Sequence, residues 1–167
     1  MFSLEDMREW QQDRLNFPPM SGSFVIGGST LGKGSMPSFP AVLDGNPQEN
    51  IRLTVSSASS CSVFDYQTYR RGKLHSEFPH MLNFEPFRPG KDTVIIRSIY
   101  GGEPMQVHGR ARIPIEIDEE GYEVEAYLVD LHSSTQGVLS FQFLEEYGLQ
   151  LRGTPDGMQM IVPQSRT

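Results

Sequence analysis

Cysteine is almost missing from this 167-residue chain, where Cys61 stands alone. One thiol cannot close an internal disulfide, which points to a reducing, intracellular and cytoplasmic setting. Long apolar runs are missing as well. Only 37% of residues are hydrophobic and mean hydropathy is −0.39. No run approaches the roughly 18 apolar residues of a spanning helix, so no membrane partner is expected. The chain also lacks a charged start followed by an apolar stretch, so no secretory signal is expected. An excess of basic charge is absent too. The net charge is −7, and residues 107–167 carry four basic against ten acidic groups. Such a surface repels phosphate backbones, which argues against nucleic acid as a partner. The single basic cluster, Arg70, Arg71 and Lys73, reads as a solvated turn.

Two chemical signatures are missing in a more specific way. The four histidines, His75, His80, His108 and His132, form no zinc-type pairing with Cys61, so neither a metal nor any other cofactor is expected. Gly27 to Gly34 is glycine-rich around Lys33, but it lacks the Gly-x4-Gly-Lys-Ser/Thr spacing and the strand–helix setting of a phosphate loop. A flexible linker accounts for it better. Cys61 reads as a buried small thiol rather than a nucleophile.

What is present is glycine and proline, 16 and 12 residues, spaced so that they punctuate short strands. Residues 1–38 read as a flexible N-terminal arm. It holds a candidate short helix before Asn16 and one strand-like triplet, Phe24-Val25-Ile26. From residue 39 strand signals dominate. Ala41-Val42-Leu43 and Ile51 to Val55 flank the turn Asp44-Gly45-Asn46-Pro47, which predicts a hairpin. Residues 65–91 look irregular, and 92–99 read as a strand. Ile113, Ile115 and Ile117 alternate onto one face, as do Tyr122, Val124, Ala126 and Leu128. Ser140 to Tyr147 fits a short helix with Phe141, Leu144 and Leu149 on one side, Ser140 as N-cap and Gly148 as stop. The predicted class is all-β, with one short helix near the C-terminus.

The order of these elements, with four local segments, resembles the retropepsin-like aspartic protease domain of retroviruses and long-terminal-repeat retroelements. Phe39-Pro40-Ala41-Val42-Leu43-Asp44-Gly45 is similar to the opening strand and turn. Arg97 to Gly109 resembles the flap, with Tyr100, Gly101, Gly102 and Glu103 at its tip. Ile113 to Asp130 resembles the strand pair after the flap. Gly137-Val138-Leu139-Ser140-Phe141-Gln142-Phe143-Leu144 resembles the late segment where a strand enters a helix. The resemblance spans residues 39–163, leaving 164–167 as a tail, and implies a retropepsin-like half-barrel.

The resemblance fails at the catalytic motif. Where the family carries Asp-Thr/Ser-Gly-Ala, this chain has Ser56-Ser57-Ala58-Ser59. The family's chemistry needs two carboxylates about 3 Å apart, one from each subunit, sharing a proton. A serine hydroxyl does not ionise near neutral pH. The expectation is a pseudo-protease, a dimerising structural or interaction module derived from a retroelement polyprotein. Its partners would be a second copy and an extended peptide or polyprotein segment gripped by the flap. Leu149, Leu151, Met158, Met160 and Val162 offer an apolar set for the dimer. Two rivals stand beside this reading. One is a working aspartic endopeptidase, with Ser56 engineered or the loop misaligned, or with Asp130 or Asp65 as the acid. The other is an unrelated β-rich binding module.

Overall fold

The computed structural model describes residues 19–27, 38–43, 50–56, 58–75, 84–98, 101–131, 135–154 and 157–161. The expected helix before Asn16, the turn at 44–47, Ser57, Tyr100, Val162 and the tail lie outside them, as do the side chains of Leu151, Met158 and Met160.

In chain order the elements are β1 (Ser23–Ile26), β2 (Phe39–Leu43), β3 (Asn50–Ser56), β4 (Val63–Asp65), α1 (Tyr66–His75), β5 (Phe84–Pro86), β6 (Ile95–Ser98), β7 (Val107–Ile117), β8 (Glu120–Val129), β9 (Gly137–Ser140), α2 (Phe141–Tyr147), β10 (Gln150–Thr154) and β11 (Gly157–Ile161). The main sheet runs β2-β3-β9-β4-β8-β7-β5. Because β2 also pairs with β7 through Val42–Glu116 and Leu43–Ile115, the sheet closes on itself as a barrel, with β5 on its flank.

Alternation explains the closure. In β7 the buried positions fall on every second residue, and Ile113, Ile115 and Ile117 are all at most 2% exposed. Val124, Ala126 and Leu128 face them from β8. Each such isoleucine contributes roughly 1.5–3 kcal/mol by leaving water. Phe39, Leu53, Leu139, Phe143, Leu144 and Leu149 complete this core. Leu149 therefore faces its own barrel rather than a partner. Asp118 and Glu119, both at positive φ, make the two-residue turn between β7 and β8.

Three expectations need correction. Residues 19–27 are not arm: β1 pairs in parallel with β6, and Met20 and Ile26 are buried in a second core with Cys61, Val63, Val94, Ile96, Val107, Val129, Leu131 and Val138. Part of the irregular stretch is a ten-residue helix, α1. Asp65 caps it, accepting from Thr68 N at 3.1 Å and Thr68 Oγ1 at 2.8 Å. In α2 the buried pair is Phe143 and Leu144, while Phe141 is 45% exposed. Gly148 stops that helix at φ 65°, as expected.

Candidate functional site

The loop that follows β3 is the place to look for chemistry, because β3 and β9 run parallel through the barrel and end together at Ser56 and Ser140. Two parallel strand ends with loops splaying from them form a natural rim. Ser56 is buried there, and its Oγ accepts a hydrogen bond from Ala58 N at 3.2 Å. The Ser59 amide returns to the Ser56 carbonyl at 3.3 Å. Ser62 ties the rim to β9: its Oγ accepts from Ser140 N at 3.0 Å and donates toward Ser140 Oγ at 3.4 Å. Ser140 therefore sits at the N-cap position of α2 without using its hydroxyl as a cap.

The two aspartates offered as alternative acids are committed elsewhere. Asp65 caps α1 through Oδ2 and accepts from Leu131 N at 3.0 Å through Oδ1. Asp130 lies 3.0 Å from His108 Nε2, and Tyr66 stacks on that imidazole at 4.1 Å. Burial pushes the Cys61 thiol up to about 12, so it stays protonated and unreactive. Among the described residues no cluster of His, Cys, Asp and Glu is arranged to hold a metal ion.

The segment expected to be a flap lies between β6 and β7, with residues 101–106 described. Met105 N bonds the Ile96 carbonyl at 2.8 Å, and Gly101 N bonds the Ser98 carbonyl at 3.0 Å. Gly101 and Gly102 take φ of 88° and 99°, a region closed to most side chains. With Glu103 they are exposed, and nothing lies within 4 Å of a side chain that would replace either glycine.

Sequence reasoning offered Phe24-Val25-Ile26 as a strand but not its place: β1 lies between β6 and the loop. On one side β1 forms a parallel ladder with β6, from Ser23–Ile95 to Ile26–Ser98. The ladder's approach is pinned by Thr93 N to the Met20 carbonyl and Ile95 N to the Gly22 carbonyl, at 2.8 and 2.9 Å. On the other side Ser60 N donates to the Val25 carbonyl at 2.9 Å, Val25 N donates to Ser60 Oγ at 3.0 Å, and Gly27 N donates to Ser59 Oγ at 2.9 Å. Gly27 closes over the loop so tightly that a Cβ there would overlap the Ala58 methyl and stand 2.8 Å from Ser56 Oγ.

Asp92 latches the strand's entry. Its side chain is fully buried, Oδ1 accepts from Met20 N at 2.9 Å, and Oδ2 accepts from Arg88 N at 2.7 Å. The Arg88 guanidinium adds contacts at 3.1 and 3.3 Å. Burial alone would raise this carboxyl, but the bonds from Arg88 and Met20 outweigh it and hold the group below the ordinary carboxylate range. Beside the loop a cavity of about 400 Å³ opens between Phe24, Ser60 to Ser62, β8 and α2. Its charged lining is Arg110, paired with Glu85 at 2.9 Å, and the carboxylates of Glu123, Glu125 and Glu146.

The structure combines a closed barrel, a loop at two parallel strand ends covered by residues 25–27, and a short helix after the last barrel strand. No family model matches the chain, and no curated protein matches it. Among solved structures, the retroviral protease-like domain of Ddi1 from Leishmania major aligns with a TM-score of 0.51 at 12% identity, over 77% of this chain and 96% of that one. The fold is retropepsin-like. EIAV protease complexed with the inhibitor HBY-793 aligns more loosely, at TM-score 0.45 and 11% identity over 72% and 95% of the two chains. In this fold Ser56 ends β3, Ala58 and Ser59 lie on the loop that follows it, and Gly101 and Gly102 lie between β6 and β7.

Proposed function

We propose that this retropepsin-like domain is hydrolytically silent and works as an interaction module, a homodimer that grips an extended peptide or polyprotein segment as an added strand. The observation that carries the reading is the loop after β3. Ser56 ends β3, where the sequence resemblance puts a carboxylate; its hydroxyl accepts from the Ala58 amide, and Gly27 lies over it. A hydroxyl in that setting can donate a hydrogen bond but does not ionise near neutral pH, so it carries no charge with which to activate water. The groove beside it binds backbone instead. Flap arm and loop both present main-chain partners to a strand lying between them, which is recognition by β-augmentation. Exposed Val25 and Ile95, on the paired strands β1 and β6, offer a second copy an apolar contact.

Incubation of the purified chain with denatured polypeptide from pH 4 to pH 7 tests the first part. The expected outcome is no cleavage that pepstatin blocks, because loss of a catalytic group costs on the order of 10⁴-fold or more in rate. Clear pepstatin-sensitive turnover overturns the reading in favour of an aspartic endopeptidase. Light scattering tests the second part: a strict monomer of 18.8 kDa at high micromolar concentration overturns the homodimer.

A further inference from the structure

We infer that the cleft between β6 and the 58–60 loop is a strand-acceptor site whose specificity is written in β1, so that it takes an extended segment of the pattern Met-x-x-x-Phe-x-Ile-Gly. This rests on the reading of the domain as a strand-gripping module and adds which strand it grips. The main-chain bonds to β6, Ser59 and Ser60 would accept any extended chain. Selectivity must come from the four positions, Met20, Phe24, Ile26 and Gly27, where β1 and its flanks meet walls. Met20 and Ile26 are 1% and 0% exposed and pack with Ile96, Val94 and Leu131 in the second core. Phe24 lies half-buried with its ring 5.5 Å from that of Tyr127. Val25 between them is 41% exposed and is read by nothing.

The fourth position is the sharpest. Gly27 has no positive φ to explain it, so the requirement is space alone. The obstacle is the Ala58 methyl, in the place where the resemblance puts glycine. Loop and strand are thus complementary: the methyl gained at Ala58 fills room that the missing side chain of Gly27 leaves open. A segment with any side chain at this position must push against Ala58 and Ser56 Oγ.

The test uses the full chain and a fluorescent synthetic peptide matching residues 18–28, with a second peptide carrying Gly27→Ala. In the unaltered chain β1 already fills the site, so the first peptide binds weakly. The chain variant Gly27→Ala weakens its own strand's seat, and the first peptide should bind it at least tenfold more tightly. The Gly27→Ala peptide should bind that same variant at least tenfold more weakly than the first. Adding Ala58→Gly to the variant should reseat the internal strand and return peptide affinity most of the way to that of the unaltered chain. Equal affinity for the two peptides, or no gain over the unaltered chain, overturns the inference. If Gly27→Ala alone does not fold, the double variant decides: recovery of a cooperative melt by Ala58→Gly supports the complementarity, and no recovery overturns it. Failure here leaves the silent-domain reading intact, since that reading is tested separately by pepstatin-sensitive turnover and by light scattering.

Discussion

Replacing Asp92 with alanine should loosen residues 19–27 far more than it loosens the barrel. Four donors converge on this carboxylate, and they do not count equally. The Arg88 guanidinium has a side chain 22% exposed and regains water when its acceptor goes, so its share is under about 1 kcal/mol. The Met20 amide belongs to a residue only 1% exposed and finds no water. Leaving such a donor unpaired costs about 1–3 kcal/mol. With part of the Arg88 amide bond added, the loss comes to about 3 kcal/mol, on the order of 100-fold in the local opening equilibrium. Native-state hydrogen exchange reads this directly: amides of Val25, Ile26 and Gly27 should exchange on the order of 100-fold faster, while those of Ile113, Ile115 and Val124 change much less. Asp92→Asn keeps one acceptor oxygen and should lose less than half as much. Because the folded-state carboxyl titrates below its unfolded value of about 3.9, the folded chain binds fewer protons in that window. The latch is therefore fully engaged above about pH 4 and is lost as pH falls through the folded-state value. Equal acceleration of strand and barrel amides in Asp92→Ala would refute the latch, since the carboxylate would then serve the whole domain.

Two further substitutions probe stability away from the groove. Tyr69 is 3% exposed, and its hydroxyl finds no hydrogen-bond partner among the described residues. Removing it in Tyr69→Phe should raise stability by about 1 kcal/mol in urea titration, and a loss would show that the hydroxyl has a partner. Glu119 holds φ 69° in the two-residue turn between β7 and β8, where glycine fits without a Cβ penalty. Glu119→Gly should gain about 1 kcal/mol by thermal melt, and a loss of that size would show that the carboxylate makes a compensating contact.

How much of the fold and site is legible in the sequence depends on whether the signal is local. Alternation at Ile113, Ile115 and Ile117 and at Val124, Ala126 and Leu128 carries period two within a few residues, so β7 and β8 are readable from their own residues alone. Helix α1 has a local signal too, Asp65 followed by Thr68 as a cap, but Tyr66 to His75 lacks a strong apolar stripe and the nearby prolines suggest a loop. Strand β1 is harder for a different reason. Its triplet Phe24-Val25-Ile26 is plain, but its partner lies some 70 residues away, and Gly27 reads as part of a linker when it is a close-approach position. The loop at Ser56 to Ser59 is locatable because the strands around it are regular. What covers it is not, because Gly27 and Ala58 become a pair only once two distant segments meet. The two departures from the expected motif then have different physical meanings. On the proposed reading, Ser56 in an aspartate's place removes a charge that hydrolysis needs. Ala58 for glycine adds a methyl that would crowd an open loop and that suits this one, where the facing residue has no side chain. A loop merely drifting after loss of activity has no reason to carry the second change opposite a glycine. A loop fitted to its own covering strand does.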